Sequence, residues 1–530
     1  MVVALMILNH NNLKIGAWIY SELLFLSWNI LNFVHNIDRL FQKWYNISYV
    51  KNCRTQGVLL NRIGVKKMSQ KQHHKDDDNQ TENGMVRGLQ NRHVQLIAIA
   101  GTIGTGLFLG AGRSLSLTGP SIILVYMLTG VFMYLMMRAI GEMLYMDPDQ
   151  HTFINFITKY LGKGWGFFSG WSYWVSLVFL GMAEITAVSN YVQFWFPSWP
   201  AWQIQIVFLI ILSSVNLIAV KIFGEVEFWF GMIKIVTILA LIATGIFMVA
   251  TNFETPAGHA SLSNITQGFQ MFPKGWVSFV MTFQMVFFAY QAIEFVGITT
   301  SETANPRKVL PKAIKEIPIR IVIFYVGALI ALMAIFPWQK LPVNESPFVT
   351  VFQMAGIKWA AAFINFVVLT AAASSLNSTL YSTGRHLFQI AKETPNSKVM
   401  KALKLDTLSR NGIPSRAIIV SAIVVCVSAF INVLPGVSDA FALITASSSG
   451  VYIAIYILTM LAHLKYRKSQ EFMADGFLMP AYKILNPLTI LFFIFVFVCL
   501  FLQKSTVVGA IGAAIWIVVF SIYSNWKHSK

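Results

Sequence analysis

The stretch LIAIAGTIGTGLFLGAG, residues 96–112, is apolar enough to lie in a bilayer, yet Gly101-Thr102-Ile103-Gly104-Thr105-Gly106 interrupts its middle. A glycine in a helix interior costs about 1 kcal/mol relative to alanine. A segment that had only to cross would carry leucine at these positions. In hydrocarbon, backbone groups without partners are tolerated only where they line a cavity or bind something. The run therefore predicts a membrane helix broken at a site of use.

The rest of the chain supports the membrane reading. Of 530 residues, 56% are hydrophobic and 12% charged, against roughly 25% charged in soluble domains. Long apolar runs alternate with short polar connections, and about 20 apolar residues suffice to span a bilayer. Twelve spans are expected, the first opening near Val94 and the last closing near Ser524. The predicted fold class is an all-α polytopic membrane protein.

Lysine and arginine set the expected orientation. With the N-terminus inside, the cytoplasmic connections hold Arg307, Lys308, Lys312 and Lys315, then Lys392 to Arg416, then Lys465, Arg467 and Lys468. The outer connections carry isolated cations such as Arg113, Lys274, Lys340 and Lys504, and Trp195, Trp199, Trp202, Trp276 and Trp338 suit an interfacial belt there. Both termini are expected to be cytoplasmic. The net charge of +18 is mostly this bias and calls for no nucleic acid.

Other chemistries find little support. Cys53, Cys426 and Cys499 show no paired spacing, which argues against disulfides and thiolate metal sites. The run HHKDDDN, residues 73–79, reads as a solvated tail rather than a metal site. No Walker loop, nucleotide fingerprint or nucleophile elbow occurs, so neither an enzyme nor a cofactor is expected. Residues 1–67 are expected to be an extra segment outside the functional protein, with Met68 as the start and 68–93 as a hydrophilic cytoplasmic tail. A thirteenth or interfacial helix near residues 15–34 is the other reading of that segment.

A broken helix can offer amide N–H groups and a helix start to an anionic group, and inverted-repeat transporters use two such breaks. The sixth span supplies the second in FFAYQAIEFVG, Phe287–Gly297, where small and polar residues precede an intramembrane Glu294. First and sixth spans are the partners expected of a five-plus-five repeat. One glycine cluster alone would be explained by close helix packing; two at corresponding positions favour a binding site. A channel would need polar residues along a whole pore, and a receptor would normally bring a sizeable soluble domain.

Ionisable residues inside the bilayer are costly and mark function or pairing. Arg138 and Glu142, near the inner end of the second span, read as snorkelling or a structural ion pair. Glu225 and Glu227 read as gate or loop anchors. Lys234 lies ten residues inside Gly224, about 15 Å at 1.5 Å per residue, too deep to snorkel. Glu184, in the third span, is also deep.

NRHVQLIAIAGTIGTGLFLGAG (Asn91–Gly112), MRAIGEM (Met137–Met143), FGEVEFWFGMIKI (Phe223–Ile235) and SETANPRKVLPKAIKEIPIRI (Ser301–Ile321) resemble the bacterial amino-acid permeases of the amino acid–polyamine–organocation superfamily. The resemblance runs from about Leu89 to the last span and leaves 1–67 uncovered. TAVSNYVQFWFP (Thr186–Pro197), SPFVTVF (Ser346–Phe352) and INFVVLTAAASSLNS (Ile364–Ser378) are most similar to the D-serine/D-alanine/glycine permeases.

The resemblance implies two inverted five-helix repeats with broken helices 1 and 6, here at 94–252 and 276–465, followed by helices 11 and 12 at 480–526. It implies proton-coupled uptake of a small neutral amino acid across the plasma membrane, with the lipid bilayer as surroundings and no metal. Permeases of the same fold for aromatic amino acids, proline, histidine or 4-aminobutyrate, or an exchanger, are the alternatives. Gly104, Thr105 and Gly106 would offer N–H groups to the substrate carboxylate beside Ile103. Carbonyls near Phe288 and Gln291 would take the ammonium, and Glu184 would line the substrate-facing wall. Lys234 is expected to couple protons, approaching backbone oxygens around Gly101–Thr102 and the hydroxyls of Ala371–Ser375, with Glu294 as the competing carrier. Many relatives have glycine where Ala292 sits, and Gln291 replaces a more usual apolar residue, so these two positions bear on pocket shape.

Overall fold

A computed structural model describes residues 103–529, apart from 149, 151, 219, 296–304, 342–344 and 432–438, and for 220–223 only the backbone. Expectations for 1–67, 68–93 and Gly101–Thr102 lie outside the described residues. Among the latter the structure is helical, with one two-residue antiparallel pair, Glu254–Thr255 with Gly258–His259. Among the described residues, nine helices are long and apolar enough to cross a membrane, and two shorter apolar ones are Gly275–Ala289 and Ser415–Ile431. The first of the nine, Gly110–Met146, contains the end of the first span and the whole second span, turned at Gly119. Each of the twelve expected spans thus has a helical counterpart.

The turn shows why glycine stands there. Gly119 has φ +56, and an added Cβ would lie 2.8 Å from the Trp338 ring. Trp338 is partly buried against this turn, while Trp195, Trp199, Trp202 and Trp276 are exposed.

The third span (Lys163–Gln193) and the tenth (Ala440–Tyr466) are enclosed by other helices. The fourth (Ala201–Ile218), fifth (Val220–Ala250), eleventh (Tyr482–Cys499) and twelfth (Lys504–Ser529) present Ile210, Val236, Leu491 and Val519 outward. In water such faces would drive aggregation; in lipid they cost nothing, because hydrocarbon is as apolar as the side chains. The eighth span (Lys358–Glu393) lies along the third, joined through Asn365 Nδ2 donating to the Tyr191 carbonyl at 2.8 Å.

Two short helices flank the bundle. Ile154–Leu161 joins the second and third spans. Pro347–Met354 precedes the eighth, and its Phe348 meets Phe108 edge-on with ring centroids 5.2 Å apart. The seventh span widens to a π-helical stretch over Ile321–Gly327, a distortion often found at functional sites. It carries Tyr325 to the sixth-span break.

Candidate functional site

The first interruption is visible in the backbone. Gly104 is extended, with φ −133 and ψ −158, and caps the helix Thr105–Phe108. The first bonds of that helix run from Leu107 N and Phe108 N to the Gly104 carbonyl, at 3.2 and 3.3 Å. As at any helix start, the N–H groups of the first turn find no carbonyl within their own ladder. Ile103 is buried just before it.

What surrounds this start is polar and tight. A Cβ on Gly104 would lie 2.8 Å from Glu184 Oε1 and 3.1 Å from Ser375 Oγ. Ser375 Oγ donates to Glu184 Oε1 at 2.8 Å, fixing the carboxylate against the break. Thr105, buried at the start of the helix, also hydrogen-bonds to the Glu184 carboxylate through its side chain and backbone. Buried polar atoms in native proteins are nearly always partnered, and here Ser375 and Thr105 hold a buried carboxylate directly against the start of a broken helix.

The sixth span breaks opposite. Its helix ends at Ala289 and continues as tight turns, Tyr290 N to Phe287 O at 3.0 Å and Gln291 N to Phe288 O at 3.1 Å. Ala292 then adopts φ +67, a left-handed conformation that favours glycine. Tyr325 Oη donates to the Ala289 carbonyl at 3.1 Å, and Tyr290 Oη to the Tyr126 carbonyl at 2.9 Å. The two breaks touch: a Cβ on Gly106 would lie 2.4 Å from Ala289 Cα.

The side chain of Gln291 is committed elsewhere. Its Nε2 donates to Ser449 Oγ at 3.1 Å and its Oε1 accepts from Ser448 Oγ at 2.9 Å. A buried amide must satisfy itself, and two consecutive serines of the tenth span do so. Glu294, 0% exposed, accepts from Tyr173 Oη at 3.0 Å and Tyr456 Oη at 2.6 Å. The segment after the break is thus fastened to the third and tenth spans.

Lys234 is 1% exposed, and the charges acting on it are Glu227 and Glu184. The hydroxyls of the eighth span go to these carboxylates: Ser374 Oγ donates to Glu227 Oε2 at 3.0 Å, as Ser375 does to Glu184. Glu227 is therefore no loop anchor at a mouth. It is 4% exposed and also accepts from Asn377 Nδ2 at 3.0 Å. The sequence hid this because Glu227 follows closely on a polar Gly224-Glu225 pair that looks like a span end.

Glu142 makes a structural ion pair as expected, but with Arg467 of another span rather than with Arg138. Glu142 pairs with Arg467 Nε at 2.5 Å, with His463 Nε2 at 3.2 Å, and accepts the Met479 N–H at 2.6 Å. Arg138 donates to the Leu478 carbonyl and stacks over Phe477. Arg113, read as isolated, pairs with Asp439 and donates to Ser505 Oγ at 2.6 Å. Among the described residues no group of His, Cys, Asp or Glu is placed to hold a metal ion.

The family profile described as amino acid permease matches residues 93–526. The chain is 48% identical over 455 residues to the DL-alanine permease SerP2 of Lactococcus lactis subsp. cremoris (strain MG1363), covering 86% of this chain and 98% of the relative. It is 47% identical to the serine permease SerP1 of the same strain, covering 85% and 99%. It is 41% identical to the D-serine/D-alanine/glycine transporter of Escherichia coli (strain K12), covering 84% and 95%. Broken helices facing each other across buried polar groups are what a transporter requires, and these likenesses extend over nearly the whole bundle. The chain belongs to the amino acid permease family, and is a multi-pass membrane transporter rather than an enzyme.

Proposed function

We propose that this permease imports small neutral amino acids, alanine, serine and glycine of either hand, together with protons across a bacterial plasma membrane, with both termini cytoplasmic. The observation that carries the reading is the apposition of Gly106 on Ala289 beside the buried Glu184 carboxylate, which lies against Gly104. Two helix breaks meet there, next to a buried carboxylate held by Ser375 and Thr105. The N–H groups of Gly104, Thr105 and Gly106 bind the substrate carboxylate, and Glu184 with the carbonyls at Phe288 and Gln291 attracts the ammonium. Ile103 and Ala292 bound the space left for a side chain. The activities named for these relatives, on alanine, serine and glycine, favour a small one. Residues 1–67 lie before the matched region and take no part.

Lys234 couples the proton. Its burial between carboxylates, about 15 Å inside the span, suits a charge that must appear and vanish with the transport cycle. Glu294, held by two tyrosines, is the second candidate. The test uses purified protein in proteoliposomes. Counterflow of radiolabelled alanine should be blocked by excess glycine or D-alanine and spared by phenylalanine or histidine. The reverse pattern rejects the substrate class. Lys234→Met should abolish accumulation driven by an imposed pH gradient while downhill exchange survives; undiminished accumulation would transfer the role to Glu294.

A further inference from the structure

Glu227 is the buried ionisable group of this cluster that the transport cycle above leaves unused. It precedes Lys234 by seven residues on the fifth span. That is two helical turns, about 10 Å along the axis, so the two side chains share a face. Glu227 is the nearer to the helix end where the fourth and fifth spans meet. Ser374 and Asn377 of the eighth span both donate to its carboxylate at 3.0 Å, and Asn377 Oδ1 accepts from Asn216 Nδ2 of the fourth span at 2.8 Å. The eighth span thus grips this carboxylate twice, and the fourth span braces the grip through Asn377.

The arrangement is divided in two around the lysine. Adjacent residues of the eighth span, Ser374 and Ser375, hold two different carboxylates, Glu227 on one side and Glu184 on the other. Glu184 faces the first-span break at Gly104. Glu227 is held instead by Asn377, itself bonded to Asn216 of the fourth span. A lysine that served only as a tether would need one counter-charge. Two carboxylates and one ammonium, all ionised, leave a net negative charge in a buried site, which is costly. The cluster is neutral only when it holds one proton more. The charged groups facing Lys234 are Glu184 from the third span and Glu227 from its own. The eighth and fourth spans offer Ser374, Ser375, Asn377 and Asn216, none of them titratable in the working range.

We propose that Glu227 is the proton acceptor of Lys234 and the cytoplasmic end of the proton route. The Lys234 ammonium gives its proton to the Glu227 carboxylate, leaving a neutral amine and a neutral carboxylic acid. Glu227 then releases that proton to water where the fourth and fifth spans join. Asn377 and Asn216 hold the carboxylate in register. This rests on the proton-coupled function proposed above.

The experiment compares wild type, Lys234→Met, Glu227→Gln and Glu227→Asp as full-length protein in proteoliposomes, by alanine counterflow and by accumulation under an imposed pH gradient. Glu227→Gln, which preserves shape and hydrogen bonding, should lower pH-driven accumulation at least tenfold and counterflow much less. Glu227→Asp should restore part of the accumulation and shift its pH profile. Full accumulation by Glu227→Gln, with Lys234→Met blocked, overturns this proposal and leaves the coupling role of Lys234 standing. Equal loss of counterflow and accumulation in both Glu227 variants also overturns it, marking an anchor. If wild type ignores the pH gradient, or Lys234→Met accumulates normally, the proton-coupled reading through Lys234 falls and this one with it.

Discussion

Gly106 and Ala289 meet backbone to backbone: the atom that any larger residue would add at 106 falls 2.4 Å from Ala289 Cα and 2.9 Å from Ala289 N. Neither neighbour is a flexible side chain that swings aside. The contact joins the start of one broken helix to the end of the other, so it holds the two halves of the site in register.

Gly106→Ala should therefore separate the two breaks. Overpacking of this kind costs about 1–3 kcal/mol, and here it displaces the binding backbone itself. Uptake is expected to fall at least tenfold, with a modest loss of thermal stability in detergent. Uptake within twofold of wild type would show that the apposition is unimportant.

Ala292 should tolerate glycine and reject branching. Its φ of +67 costs an L-residue about 1–2 kcal/mol, and a β-branched side chain is worse placed there. Ala292→Gly is expected to keep or slightly raise the melting temperature. Ala292→Val should lower it by the equivalent of about 2 kcal/mol, as read by thermal unfolding of purified protein.

The Glu142–Arg467 pair should be costly to break from one side. Removing one partner of a buried pair typically costs about 3–5 kcal/mol, whereas replacing both with apolar groups can be nearly neutral. Arg467→Met is expected to destabilise strongly, and Glu142→Leu with Arg467→Met to recover much of the loss. A double variant as unstable as the sum of the singles would refute this coupling.

Glu471 supplies a pH-dependent contact outside the bilayer. The Lys159 ammonium, 2.7 Å away, and then the Tyr160 hydroxyl hold its carboxyl below the usual 4.5. A depressed carboxylate contributes stability above its unfolded value, lost as pH falls through the folded one. The pair is largely exposed, so the effect should stay under about 1 kcal/mol. Lys159→Ala should melt slightly lower than wild type at pH 7, and the difference should vanish as pH falls well below 4.5.

The number of spans, their approximate places and both helix interruptions were legible from residues alone. Each rests on local chemistry: an apolar run long enough to cross, or glycine and small polar residues where a helix would be weakened. The depth of Lys234 was legible for the same reason, since rise per residue converts sequence position into distance. Partner choice was not. Glu227 reaches Ser374 across 147 positions, Glu142 reaches Arg467 across 325, and Gln291 reaches Ser448 across 157. Which face of a helix a side chain occupies follows from periodicity, but which neighbour lies against that face is decided by packing between helices. Tertiary structure alone turned Gln291 to the tenth span, set Trp338 on Gly119, and placed Glu184 and Glu227 around one lysine. Buried charges and amides find partners wherever the bundle brings them, because leaving them without one costs more than any local preference can offset.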